Sequence, residues 1–414
     1  MKKKRLLTIL LLLIPAFSLG YASSSWAEYS FTPNLVLREE YNDNIFLTRN
    51  NKEDDFISSI TPSVKFSYKT SILTLSLDYG LHFRFFAHHP QRNETGLSKT
   101  QRAKLDTTLS PYKEIVFLKL FDEYTRVPVD QRNQVALDNI FVNLTDMNRL
   151  VINPYILYPV SSGFSTSVGY TYDNSWYRSH QGDNTENHTA NLNLIKVLTD
   201  KITSTVTYSY LFHRPKITPK YDKQDVFLNL SYDVSAKLNL NGGAGRTWFN
   251  YMDRPSQNSS IWNAKASYHL TDLLSLGAGH TESFMDSVKQ GTFKRRSTTG
   301  SIGYSGKLPV NLTVFSNIDT YDTVDRTDRS RGATLSTNMP ITPKLTGGVT
   351  GTYSHFGFQP EGESMNRYSA AVSFAYAMKI TTLSLGYTYN LNDSTNRSNN
   401  YDNNIVWLQA GFTI

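Results

Sequence analysis

The sequence predicts an all-β chain closed into a transmembrane antiparallel β-barrel of about 18–20 strands, with short periplasmic turns and longer extracellular loops. Three observations carry this: apolar and polar residues alternate with period two along most of the chain, the alternating runs span 11–15 residues, and short connections alternate with long ones. A soluble sandwich uses strands of about 5–6 residues with the apolar face inward, whereas a membrane barrel uses about 9–11 and turns that face outward. Composition removes other classes. Among 414 residues there is no cysteine, which excludes a disulfide framework, cysteine-ligated zinc, iron–sulfur clusters and a thiol nucleophile.

The first 27 residues read as a Sec-type signal peptide. Lys2, Lys3, Lys4 and Arg5 form a positive start, residues 6–19 are apolar, and Ser25 and Ala27 are the small residues of a cleavage site. Pro15 interrupts the apolar stretch, which is shorter than the roughly 20 residues of a spanning helix. Cleavage is expected between Ala27 and Glu28, leaving 28–414 as a single barrel domain in the outer membrane. The net charge of +7 then falls to about +3, too little to argue for a nucleic-acid partner.

In chain order the first ten strands are expected near 29–46, 55–68, 71–86, 98–110, 113–127, 144–158, 163–177, 185–197, 201–214 and 223–235. The third is the clearest, because Leu73, Leu75, Leu77, Tyr79, Leu81, Phe83 and Phe85 alternate with Thr74, Ser76, Asp78, Gly80, His82 and Arg84. The ninth and tenth carry Val206, Tyr208, Tyr210 and Phe212, then Val226, Leu228, Leu230, Tyr232 and Val234. The second ten are expected near 237–250, 258–270, 273–285, 293–305, 309–322, 329–340, 344–356, 366–378, 381–391 and 402–414. Trp262, Ala264, Ala266, Tyr268 and Leu270 mark one of these; Leu383, Leu385, Tyr387, Tyr389 and Leu391 mark another. Twenty is even, so both termini fall on the periplasmic side. Eighteen is the alternative, since 293–305 and 329–340 alternate poorly. The last strand ends on Phe412 and Ile414, where outer-membrane proteins commonly end on Phe.

Short turns such as Lys69-Thr70-Ser71, Leu198-Thr199-Asp200 and Ser235-Ala236 alternate with polar loops such as Ala87–Ser98, Arg178–Asn184 and Asn392–Tyr401. Aromatic residues gather near strand ends (Phe85-Phe86, Trp176-Tyr177, Trp248-Phe249, Tyr251), as an interfacial girdle requires. With apolar faces outward, alternation assigns Asp78, His82, Arg84, Arg102, Lys104, Asp106, Lys119, Glu123, Arg149, Asp233, Lys265, Asp319 and Arg367 to the lumen. The same rule adds Asn191, Asn193, Asn239, Asn241, Asn311 and Asn317. No separate plug is expected, because the first strand starts within a few residues of Glu28. The longest loop, Pro128–Asn143, carries Asp130, Arg132 and Asp138; it either constricts the pore from inside or covers the outer mouth.

No catalytic, cofactor or metal site is expected, and the chain does not read as an enzyme. His88-His89 lacks the spaced partners of a zinc site and reads as a solvated loop pair. His280 and Ser283 would suit a lipid hydrolase, but a Ser-rich chain offers such pairs by chance. Residues 319–331 (DTYDTVDRTDRSR) lack the glycine and terminal glutamate of a calcium loop and read as a solvated extracellular loop.

Asp43-Asn44-Ile45-Phe46 and Asp54-Asp55-Phe56-Ile57, the latter followed by Pro62, form a DNIF box and a DDFI…P box at the first hairpin. Over about 40 residues this resembles the β-barrel porin family found beside exopolysaccharide and exosortase-linked gene clusters in Gram-negative bacteria. The resemblance implies an outer-membrane barrel that passes a secreted polysaccharide and works with a periplasmic polysaccharide-export protein. It brings no catalytic residues. Outer-membrane lipid and lipopolysaccharide are the other expected partners, the acidic residues of the boxes tightening the first loop or binding a cation between lipopolysaccharide heads. A diffusion porin for small solutes and a closed structural or surface-attachment barrel are the alternatives.

Overall fold

A computed structural model describes residues 27–112, 114–130, 132–133, 142–321 and 324–413. The expected signal peptide and Asp138 lie outside the described residues. The first strands are β1 Glu28–Asn42, β2 Asp55–Lys69, β3 Leu73–Leu81, β4 Phe83–Phe86, β5 Gln101–Tyr112, β6 Val116–Pro128 and β7 Leu144–Ser161. Next come β8 Phe164–Tyr177, β9 Thr185–Thr199, β10 Ile202–Pro215, β11 Tyr221–Ser235, β12 Leu238–Tyr251, β13 Gln257–His269 and β14 Leu274–Ser287. The chain ends with β15 Gly291–Tyr304, β16 Val310–Tyr321, β17 Arg326–Pro340, β18 Leu345–Gln359, β19 Glu363–Ala377, β20 Thr381–Ser394 and β21 Tyr401–Thr413.

With β3 and β4 counted as one, every strand pairs antiparallel with its chain neighbours, and β1 pairs with β21 to close the ring. β3 and β4 are one stave, since β2 pairs with both in one continuous register. The break falls at His82, whose N–H donates to the Thr100 carbonyl at 2.9 Å. Twenty staves therefore make a closed all-β barrel. Closure matters physically because an open edge would leave a row of N–H and C=O groups unpaired.

Three expectations need correction, and the eighteen-strand alternative falls away. The first strand stops at Asn42 rather than 46, because Asn42 and Asn44 spend their side chains on the turn that follows, Asn42 accepting the Asn44 N–H and Asn44 bonding Thr48. The fourth stave starts at Gln101 rather than 98, because Leu97–Thr100 wind one helical turn. The poorly alternating 293–305 and 329–340 are full strands, held by complete backbone ladders on both sides. Residues 319–331 are not one solvated loop: Asp319–Tyr321 end β16, Arg326–Arg331 begin β17, and on one face Arg295 and Arg326 pair with Asp319 and Asp328.

Which face is inside follows from residues that meet across the ring. β6 and β7 stand nearly opposite β17, β18 and β19, yet the loop joining β6 to β7 touches their side chains: Arg132 Nη1 lies 2.8 Å from Glu361, and Arg367 donates to the Asn133 carbonyl at 2.9 Å. Arg367 therefore points inward, and the register carries that parity round the ring. The other face bears the aliphatic rows. Leu228 is 46% exposed and Leu385 51%, and the rows continue through Val168, Leu192, Val206, Ile302, Leu335 and Val406. A continuous apolar belt of this size is not left to water. It faces lipid.

Candidate functional site: the barrel interior

Alternation and register put the thirteen charged residues assigned to the lumen on the same face as Arg367. Several sit in ion pairs between neighbouring staves: Arg149–Asp173 at 2.8 Å, Arg295–Asp319 at 2.6 Å and the longer Lys65–Asp78 at 4.0 Å. Lys104 faces Glu123 across a strand pair, and Asp233 accepts from Asn239 at 2.6 Å. Arg84 is buried against Glu94, which also receives Arg126 at 3.2 Å. Arg38 pairs with Glu40 at 2.5 Å and lies over the Trp407 ring. Sequence reasoning missed Trp407, although its odd position between Val406 and Leu408 sets it on the inner face.

The wall is uneven. Cationic residues gather on β1–β7, where Phe117 and Tyr155 stack at 4.7 Å, Lys119 sits over Tyr155 and Lys104 over Phe121. The inner faces of β9 and β10 carry Asn187, Thr189, Asn191 and Asn193, then Thr203, Thr205, Thr207 and Ser209. On β18 and β20 the inner row is again Thr, Ser and Asn. These groups bond laterally, as Thr207 to Asn193 at 2.8 Å and Ser369 to Asn390 at 2.8 Å show.

Two elements reach in from the extracellular end. In the β6–β7 loop, Asp130 holds Arg132 at 3.0 Å and meets Arg326 of β17 at 3.5 Å. Burial pushes the Asp130 carboxyl up, but hydrogen bonds from Arg132 and the Arg326 charge outweigh it and hold the group below the usual carboxylate range. Asp130 and Arg132 thus take part in contacts across the ring. The second element is the tip of the β14–β15 hairpin, which carries no motif that singles it out. β13 pairs with β14 only up to Thr281, while β14 and β15 stay paired to the Ser287–Gly291 end. The free upper part leans over the inner wall. Phe284 packs edge-on against Phe249 at 4.6 Å, Thr292 bonds the Tyr221 hydroxyl at 2.9 Å, and the Asp183 N–H donates to the Val288 carbonyl at 2.6 Å. Arg326 joins the two elements, donating to Gln290 beside its contact with Asp130.

This packing corrects the aromatic girdle. Phe86, Phe249 and Tyr251 are buried on the inner side, and only their neighbours Phe85 and Trp248 present to the outside. Adjacent aromatics on a strand face opposite ways, so half of each pair belongs to the interior.

The DNIF and DDFI boxes are a clasp at the outer end of the seam. Asp43 accepts from the Asn404 N–H and side-chain amide, both at 2.6 Å. Asn44 is fully buried: its amide donates to the Thr48 and Asp402 carbonyls, and its oxygen accepts the Thr48 N–H. Ile45 packs with Ile57 and Phe86. Asp55 accepts the His88 N–H at 2.9 Å and His89 Nδ1 at 2.8 Å, while His89 Nε2 meets Glu53 at 2.8 Å. The expectation of a solvated histidine pair fails for His89, whose ring is held between two carboxylates. Its pKa is raised, first by the bond to Asp55 and then by that to Glu53.

A raised folded-state pKa means that the stabilisation is complete below the ordinary value of 6.5 and is lost as pH climbs through the higher folded value. Limited proteolysis should therefore cut the first two extracellular loops faster at about pH 9 than at about pH 6. In His89→Gln that difference should disappear; an equal cleavage rate at both pH values in the unsubstituted protein would contradict it. His280 and Ser283, the hydrolase pair considered above, lie on opposite faces of β14. His280 stacks on Trp262 at 4.2 Å and bonds Thr298 at 2.8 Å.

No family model matches the chain, and no curated protein matches it. Solved structures do. The ferric enterobactin receptor of Pseudomonas aeruginosa superimposes with a TM-score of 0.51 and 10% identity over 95% of this chain and 82% of that one. The copper transporter OprC gives 0.50 and 10%, covering 94% and 81%. The FrpB iron transporter of Neisseria meningitidis gives 0.50 and 9%, covering 92% and 82%. The likeness is one of fold. At such identity it speaks for a large closed barrel and carries over no ligand.

Proposed function

We propose that this barrel is an outer-membrane pore and, more narrowly, the outer-membrane conduit for an exported polysaccharide. The observation that carries the narrower reading is the lumen wall: long uncharged rows of Asn, Thr and Ser flank a sector where aromatic rings lie beside Lys and Arg. Hydroxyls and amides exchange hydrogen bonds with sugar hydroxyls at little net cost, and aromatic faces stack on pyranose rings. Weak, repeated contacts suit passage better than one tight site. The resemblance of the first hairpin to exopolysaccharide-linked porins points the same way. A periplasmic polysaccharide-export protein would deliver the chain, and transport would be driven from the inner membrane.

Deletion of the gene should abolish secreted polysaccharide while leaving uptake of small solutes unchanged. Intact secretion in the deletion strain would leave the diffusion-porin alternative standing. The contacts joining the β6–β7 loop to β17 and β19 favour a second reading, a barrel closed at its mouth that serves attachment. Planar-bilayer recording separates the two, since the pore conducts and the closed barrel does not.

A further inference from the structure

On the outer face of β15, β16 and β17, Arg296, Arg329 and Arg331 form a cluster. Arg296 and Arg329 both lie opposite Ile318 in the register, and Arg331 lies opposite Ser316, one step lower on the same face. Two strand spacings put Arg296 and Arg329 about 10 Å apart, and Arg331 is about 7 Å further along its strand. All three are exposed and have no carboxylate partner among the described residues. The contrast with the inner face of the same strands is sharp: there Arg295 holds Asp319 at 2.6 Å and Arg326 holds Asp328 at 2.5 Å. Glu282, across from Arg296, is engaged by Lys294 at 2.7 Å, and His355, across from Arg331, bonds Asn366 at 2.9 Å.

The level of the cluster decides what it meets. Below it the same face is apolar, through Val314, Ile302, Leu312 and Leu335 to Leu308 and Ile341 in the periplasmic turns. From Val310 to Ser316 is about 20 Å along the strand, which with the turns fills most of an apolar band about 25 Å tall. The arginines therefore stand at the upper edge of the band, where the acyl chains of the outer leaflet end and its headgroups begin. Guanidinium groups without carboxylates, spaced over about 10 Å at that level, match phosphate oxygens bidentately.

We propose that Arg296, Arg329 and Arg331 bind the phosphate groups of a phosphorylated glycolipid of the outer leaflet, whose acyl chains lie on the Ile302–Val314–Leu335 surface. This rests on the outer-membrane reading above. The test is native mass spectrometry of the full chain in detergent, titrated with diphosphorylated lipid A and with the same lipid stripped of phosphate. The unsubstituted protein should retain the phosphorylated lipid preferentially. R296Q/R329Q/R331Q should weaken that retention by about tenfold or more, and Arg246→Gln, another outer-face arginine, should leave it unchanged. Equal retention by the triple variant, or equal binding of the phosphate-free lipid, would overturn the proposal. Heat-modifiable mobility in gels reports whether the triple variant is folded, and if it is not, R329Q alone should still show a measurable loss. Membrane fractionation is a separate readout: a chain found outside the outer membrane sinks the location reading, whereas lost phosphate selectivity sinks only this one.

Discussion

Asn44→Ala should lower the urea midpoint of the refolded barrel, by an amount equivalent to about 2–4 kcal/mol. The amide of Asn44 answers three backbone groups, the Thr48 N–H and the Thr48 and Asp402 carbonyls, and Asn44 itself is fully buried. An orphaned buried group costs about 1–3 kcal/mol, and relaxation of the turn recovers part of the total. The loss falls at the seam, so it loosens the β1–β21 closure as well as the loop. Asp43→Ala should act in the same direction and less strongly, because Asn404 can turn its amide to water. Unfolding followed by tryptophan fluorescence in lipid vesicles measures both. An unchanged midpoint for Asn44→Ala would mean that the turn is held by Ile45, Ile57 and Phe86 alone.

Removing the inward tip of the β14–β15 hairpin, residues 286–291 replaced by a two-residue turn, should raise single-channel conductance severalfold. The tip occupies cross-section that the 20-stave ring would otherwise leave to water, and Phe284 and Thr292 tie it to β12 and β11 while Val288 ties it to the β8–β9 loop. Arg326→Ala should raise conductance too, since Arg326 links the tip to Asp130. It should also destabilise: Asp328 and Asp130 would be left near each other without their shared cation, and breaking a buried pair costs about 3–5 kcal/mol. Equal conductance in the tip-deleted and intact proteins would show that the narrowest point lies elsewhere.

The strands were readable because a lipid-facing side must be apolar at every second residue, and in runs such as Leu73–Phe85 nothing competes with that rule. It weakens where a strand rises above the lipid. Arg296, Arg329 and Arg331 face outward there, so 293–305 and 329–340 looked irregular although their ladders are complete. The lumen residues came from the same alternation, which a closed antiparallel sheet transmits without loss. The two elements at the mouth did not, because they depend on contacts between residues far apart in the chain: Asp183 with Val288, Arg132 with Glu361. Nothing local in the hairpin tip announces that β14 will leave β13 at Thr281. The DNIF box was visible as a motif, but its partners Asp402, Asn403 and Asn404 lie at the far end of the sequence.

That distance bears on how the molecule assembles. Thr413 and Asn34, which bond at 2.8 Å, are 379 positions apart, whereas every other pairing joins staves that follow one another along the chain. The entropy of such a closure grows only logarithmically, about 0.6 kcal/mol per doubling of length, so joining the two ends is thermodynamically inexpensive. Kinetically it comes last, because no contact rewards it until the intervening hairpins have aligned. Until then two sticky edges are on offer, and the growing sheet can recruit a stray strand from another copy. A catch built from Asp43, Asn44, Asn403 and Asn404 would act as a proofreader at that moment, closing only when the correct first and last strands meet in the correct stagger.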